Sequence, residues 1–264
     1  MITIIGFGIR PKHMSLEALE VLRRADKVFL EAYTNVFPNS FVEELKRIIG
    51  TDDITLLKRE ALENNLDKFI EESRNKHVAL LIQGDPMFAT THVNIILECK
   101  KKGIPCKVLS GISIYNRILA VTGLQPYRFG RLVSIPILSE DFMPSSPYLK
   151  IAENMRNNLH TLVLLEAVSD AEFLSINDAI DYLLKMEPRF RMKVISDNRF
   201  AIGIARLDYD EEIIKCDKIL RLQEIEFGPP PHALILLADC LHFLEAEALI
   251  ELLNAPIEVK RLVK

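Results

Sequence analysis

HVALLIQGDPMFATTH, residues 77–92, decides how the fold is read. Val78-Ala79-Leu80-Leu81-Ile82 is apolar without alternation, which predicts a strand covered on both faces. The run stops abruptly at Gly84-Asp85-Pro86. Glycine lets backbone turn sharply or approach a ligand closely, and proline fixes the next φ and donates no hydrogen bond. An aspartate between them can accept hydrogen bonds from a ligand's hydroxyls or amine, or can serve only the turn backbone. The residues alone leave both readings of Asp85 open. Thr90 or Thr91 is placed to cap the helix predicted over His92–Lys102.

Outward from this stretch, strand and helix signals alternate. Strands are expected at Ile2–Ile5, Val28–Leu30, Ile54–Leu57 and Cys106–Leu109. Helices are expected at Leu16–Ala25, with Ser15 as N-cap, at Phe41–Ile49, with Gly50 as its left-handed stop, and at Leu66–Ser73. Such alternation predicts a mainly parallel sheet covered by helices, with ligands at the carboxyl ends of the strands. Gly6-Phe7-Gly8, Gly84-Asp85-Pro86 and Ser110-Gly111-Ile112-Ser113 all follow strands, so one mouth is expected to gather them.

The second half reads differently. Leu132–Leu138, Thr161–Ala167, Ala201–Ala205, Lys218–Leu222 and Ala233–Leu237 are predicted strands, with helices at Asn177–Lys185 and Leu244–Leu253. Consecutive strands with little helix between them predict a mixed sheet. The expected organisation is α/β in two lobes, 1–112 and 113–264, with a small-molecule cleft between them.

Bulk properties narrow the function. The chain has 264 residues and 49% apolar residues, enough for a substantial core. A net charge of -4 argues against broad phosphate-driven nucleic-acid binding, which needs a basic face. No apolar run is long enough to cross a bilayer, and MITIIGFGIR is no signal peptide, so a soluble cytoplasmic protein is expected. Cys99, Cys106, Cys216 and Cys240 have no metal or redox spacing and read as ordinary thiols. No His/Cys cluster has zinc spacing, and no metal is expected. Gly6-Phe7-Gly8 lacks the third glycine of a dinucleotide fingerprint, because Pro11 stands there, although Glu31 follows the second strand as that fingerprint requires. Ser113 and Ser134 lack a nucleophile-elbow frame.

Further stretches carry a resemblance that covers nearly the whole chain. GDPMFATTH at 84–92, SIYNRILAVTGLQPYRFG at 113–130, HTLVLLEA at 160–167, FGPPPHALIL at 227–236 and LHFLEAEAL at 241–249, in that order, resemble the diphthine synthase family. That family lies within the tetrapyrrole-methylase-like superfamily, whose class III methyltransferase fold has two α/β lobes. The resemblance implies an S-adenosylmethionine-dependent methyltransferase, releasing S-adenosylhomocysteine and forming a homodimer. Its substrate would be translation elongation factor 2, at a histidine already carrying a 3-amino-3-carboxypropyl arm whose amino group is methylated. Carried over by position, the cofactor contacts would be Ile9, Asp85, Phe88, Ser113, Ile114, Leu165, Leu207 and His232. Three departures stand out: Gly111-Ile112 where relatives tend to have Ala-Pro, Asp208-Tyr209 where Gly-Ser is common, and Phe88 where an aliphatic residue is expected. The same fold would also suit a methylase of tetrapyrroles or ribosomal RNA, or a non-catalytic partner of elongation factor 2.

Methyl transfer from a sulfonium to an amine needs no protein nucleophile, so no catalytic residue is assigned. Alignment of the reactants contributes roughly 7–11 kcal/mol in such reactions. The amine must lose a proton. His232 is a candidate acceptor, although packing and hydrogen bonding against adenine or ribose fit it better; Glu166 and Tyr127 are weaker, as a satisfied carboxylate and a core tyrosine. His13, His77 and His242 read as surface or packing residues, and His160 as the start of a strand.

Overall fold

The computed structural model describes residues 1–33, 37, 40–139, 141–167 and 172–264. These fall into two compact units, Met1–Ile114 and Tyr115–Lys264.

The first unit is built on strands β1 (Ile2–Gly6), β2 (Lys27–Glu31), β3 (Ile54–Leu57), β4 (Val78–Ile82) and β5 (Cys106–Leu109), in the order β3-β2-β4-β1-β5. Every pairing is parallel. β1 and β4, in the middle, are buried along their whole length, which is why β4 is a continuous apolar run and β1 is interrupted only by Thr3, whose hydroxyl pairs with His77 Nε2 at 3.0 Å. Helices α1 (Leu16–Arg24), α2 (Phe41–Ile49), α3 (Arg59–Glu63), α4 (Leu66–Glu72) and α5 (Val93–Lys101) connect the strands. The expected punctuation is present. Ser15 accepts from the Ala18 amide, and Gly50 ends α2 at φ +82°. One expectation fails. Neither threonine caps α5: Thr90 Oγ1 donates to the Pro86 carbonyl instead, because the loop turns back on itself and brings that acceptor within 2.6 Å.

In the second unit, α6 (Ile114–Thr122) leads into β6 (Val133–Ile135), α7 (Ser146–Arg156), β7 (Thr161–Leu165) and α8 (Ile176–Phe190). Then follow β8 (Phe200–Ala205), β9 (Ile213–Lys218), α9 (Ile219–Leu222), β10 (His232–Leu236) and α10 (Phe243–Leu253). The sheet order is β6-β7-β10-β8-β9; β6 and β7 are parallel and the other pairs antiparallel, so the sheet is mixed as predicted. The strand expected at Lys218–Leu222 is a correction. The strand is Ile213–Lys218, paired with β8 over six residues, and 219–222 form a helical turn. Ile219 and Leu222, three residues apart, are both buried, a helical spacing that a short apolar run does not reveal. α6 and α7 have no counterpart in the sequence reading. α7 follows Pro144-Ser145, and its buried stripe of Tyr148, Ile151, Ala152 and Met155 identifies it only once packed.

Candidate functional site

At the carboxyl edge of the first sheet, three strand-ending loops meet. Gly8 and Gly84 exchange backbone hydrogen bonds at 2.9 and 3.2 Å, and Gln83 Nε2 donates to the Ile9 carbonyl at 2.6 Å. Gly84 takes φ +75°, where a side chain is strained. Gly111 is glycine for a different reason: a Cβ there would lie 2.1 Å from the Gly84 carbonyl oxygen. An alanine at 111, as the resemblance suggests for relatives, would require the 84–86 loop to stand further off.

Asp85 is half-buried and already employed. One carboxylate oxygen accepts from the Met87 amide at 2.8 Å, the other from the Gly111 amide at 3.2 Å. The Phe88 amide closes the turn onto the Asp85 carbonyl. Asp85 thus serves the turn and ties it to the loop after β5, while each carboxylate oxygen retains a second lone pair. Ile9 and Ser113 are buried beside these loops, and Phe88 and Ile114 are half-buried. Glu31, the acid that partly fitted a dinucleotide site, has its Oε2 3.7 Å from His92 Nε2.

In the second unit, sheet register gathers another set. His232, first in β10, pairs with Ala205, and Ala233 pairs with Leu164. His232, Leu165 and the turn after β8 that carries Leu207 therefore share one end of this sheet, and all three side chains are buried. Leu207 is flanked by two residues in the left-handed region, Arg206 at φ +50° and Asp208 at φ +68°. Asp208 is held by Arg117 of α6 in a two-pronged ion pair, both N···O distances 2.6 Å. Arg206 is buried and donates to the carbonyls of Glu211, Phe227 and Pro229, which shapes the segment leading to His232.

His232 lines a cavity of about 570 Å³, together with Phe173, Ser175, Phe227, Gly228 and Pro229. The residue is 6% exposed, yet neither ring nitrogen has a hydrogen-bond partner among the described residues. Burial, reinforced by the Arg206 charge, brings its pKa down to about 4. The carbonyls of Pro229, Gly228 and Phe227 pull the other way, but none reaches the ring at hydrogen-bonding geometry. A neutral imidazole with a donor and an acceptor unsatisfied is costly unless something binds there. An imidazole of this basicity is a poor proton acceptor near neutrality. Tyr127, expected as a core tyrosine, is 75% exposed, because it lies in the short helical turn 126–128 at the surface. Glu166 accepts from the Ile137 amide.

Sequence reading missed the polar groups that hold these loops: Arg206, Arg117 with Asp208, and His92 with Glu31. Glu31 was visible only as the acid that follows the second strand, and Asp208 only as a departure from relatives. Among the described residues, no cluster of His, Cys, Asp and Glu could hold a metal, and no helix is long and apolar enough to cross a membrane.

The family model for tetrapyrrole (corrin/porphyrin) methylases matches residues 1–199. A diphthine synthase from Archaeoglobus fulgidus is 36% identical over 264 residues, covering 100% of both chains. One from Staphylothermus marinus is 35% identical over 253 residues, 92% of this chain and 93% of that one. A crystal structure of diphthine synthase superposes with a TM-score of 0.87 at 35% identity, covering 99% of each chain. With the α/β architecture matched along its full length, the chain belongs to the tetrapyrrole methylase family and, within it, to the diphthine synthases.

Proposed function

We propose that this chain transfers methyl groups from S-adenosylmethionine to the amino group of a 3-amino-3-carboxypropyl-histidine on translation elongation factor 2, a step of diphthamide biosynthesis. Membership of the diphthine synthases supports the reaction. Ile9, Asp85, Phe88, Ser113, Ile114, Leu165, Leu207 and His232 are its cofactor contacts, with the lobes taken as 1–112 and 113–264. The observation that carries this reading is His232: a buried, neutral ring with both nitrogens unmatched among the described residues, facing a cavity. A heteroaromatic ligand with its own donors and acceptors supplies what the ring lacks.

The cofactor supplies an already activated methyl group. The C–S bond breaks as the C–N bond forms, and the amine proton leaves to water. The protein's part is to hold, align and dry the reactants. His232 is a hydrogen-bonding and packing residue in this scheme, since a pKa of about 4 unsuits it to take a proton from an ammonium. The enzyme works in the cytoplasm, where its protein substrate is. It acts as a homodimer through α10, whose Phe243, Leu244 and Leu252 are each more than half exposed despite being large and apolar.

Transfer of tritiated methyl from the cofactor tests the reaction. Label should enter elongation factor 2 only when its histidine already carries the aminocarboxypropyl arm. Label entering a tetrapyrrole or ribosomal RNA, and not the factor, would overturn the substrate. Sedimentation at micromolar concentration should give about twice the 30.1 kDa chain mass; a clean monomer would refute the dimer without touching the chemistry.

A further inference from the structure

The loop after β4 passes through the left-handed region at both ends, at Gly84 (φ +75°), where glycine is unstrained, and at Ala89, whose Cβ makes φ +56° a strained position. Such a conformation persists only where its surroundings over-determine it. Pro86 cannot help with a donor of its own. Its carbonyl, however, is held twice, by Thr90 Oγ1 at 2.6 Å and by His92 Nδ1 at 3.0 Å. A carbonyl only accepts, so Nδ1 carries the hydrogen. The opposite nitrogen of the ring, Nε2, stands 3.7 Å from Glu31 Oε2. Both side chains are buried, Glu31 at 0% and His92 at 4% exposure. A carboxylate withdrawn from water needs a compensating partner, and Nε2 is one when a hydrogen lies between it and Oε2, carried by the ring or by the carboxyl group. Sheet order makes the meeting possible: Glu31 ends β2, His92 follows β4, and these strands are neighbours.

We propose that Glu31 and His92 are positioning residues for the cofactor loop. Glu31 orients the imidazole, and the imidazole holds the Pro86 carbonyl, which sets the Asp85–Phe88 turn. Neither side chain has to touch the cofactor; they act through backbone. The inference rests on the reading of Asp85 and Phe88 as cofactor contacts.

Calorimetric titration of S-adenosylhomocysteine, with steady-state kinetics and thermal melts, tests it. His92→Ala should weaken binding and raise the KM for the cofactor about tenfold, the cost of one good hydrogen bond, while kcat at saturation stays close to wild type. His92→Asn places an amide donor near the Pro86 carbonyl and should recover most of the loss. Glu31→Gln keeps a polar partner without the charge and should weaken binding by about threefold. Ile70→Ala, a fully buried core truncation in α4, controls for stability: it should lower the melting temperature and leave the affinity of the folded protein unchanged. Wild-type affinity in folded His92→Ala overturns the proposal, as does an equal loss in Ile70→Ala. If His92→Ala does not fold, Glu31→Gln decides, and unchanged affinity there overturns it. Failure of the wild type itself to bind is a distinct result: it overturns the cofactor reading, and this inference falls with it.

Discussion

In the first unit His92 faces Glu31 across 3.7 Å; in the second, His160 faces Glu245 across 3.2 Å. All four side chains are nearly or fully buried, and in sequence they look interchangeable. Their surroundings differ. Glu245 also accepts from the backbone amides of Gln125 and His242, at 3.1 and 3.0 Å, and closes a capping box at the start of α10. His160 Nδ1 accepts from the Ala238 amide, so its hydrogen sits on Nε2, aimed at Glu245. The bonds of that pair run to the start of α10, to the segment after β10 and to the backbone at Gln125, with Arg128 Nε also 3.7 Å from the carboxylate, so they tie together parts of the second unit's frame. The His92 donor runs instead to a loop carbonyl at the mouth of the first sheet. The same two residue types pin a core in one unit and set a loop in the other, and what decides is the group on the far side of the imidazole.

The strongest way to break this contrast is Glu245→Ala. Removing one partner from a buried pair costs about 3–5 kcal/mol, and a melting temperature lower by roughly 10 °C is expected for a chain of this size. Cofactor affinity of the folded fraction should not change. A loss of affinity matching the loss of stability would show that the second pair, too, serves a site.

Acid denaturation sharpens the same point. Burial alone would raise the Glu245 pKa, but the hydrogen bonds from His160 and from the His242 and Gln125 amides outweigh it and bring it to about 2, against an ordinary 4.5. The folded state therefore holds this carboxylate ionised where the unfolded chain would protonate it. Its contribution is complete above about pH 4.5 and is lost as pH falls through about 2. Glu245→Gln should flatten the stability curve in that window. A curve that still falls as steeply would place the acid sensitivity elsewhere.

On the first unit's side, Asp85→Ala removes a charged acceptor at the loop. Cofactor affinity should fall by one to two decades, corresponding to roughly 1.5–3 kcal/mol. The melting temperature should drop less, because the carboxylate binds two amides but fills no core. The reverse pattern, a large drop in melting temperature with affinity intact, would reduce Asp85 to a turn residue.

The smallest effect has the opposite sign. His232→Leu removes two unmatched buried nitrogens and should stabilise the unliganded protein by about 1 kcal/mol, while weakening cofactor binding. It should also remove a pH dependence. The unfolded histidine takes a proton below about 6.5, but the folded one resists until about 4. Wild-type stability therefore declines as pH falls between these values and the leucine variant's does not. Differential scanning calorimetry at pH 7 and pH 4.5 reads both effects; a variant less stable than wild type at pH 7 would mean that the ring already has partners.

In the first unit, local pattern placed the strands and all the helices but the short α3, and missed only the cap of α5. Phe41–Ile49 with its Gly50 stop, and the strands Ile54–Leu57, Val78–Ile82 and Cys106–Leu109, stand where periodicity and punctuation put them. In the second unit, local pattern failed at 218–222 and passed over α7. There short apolar runs suit a strand or a helical turn equally, and packing chooses.

The sequence by itself determined the fold class and the strand-ending loops, because apolar period, glycine and proline act on backbone within a few residues. It determined the family as well, through motifs in a specific order. Only the tertiary structure decided the polar partnerships. Glu31 reaches His92 because β2 lies beside β4, and His232 has no hydrogen-bond partner among the described residues because burial and antiparallel register set it against a cavity. Those pairings join segments far apart in the chain. No local period encodes them, since a buried polar group is settled by whatever the packed strands bring within about 3 Å of it.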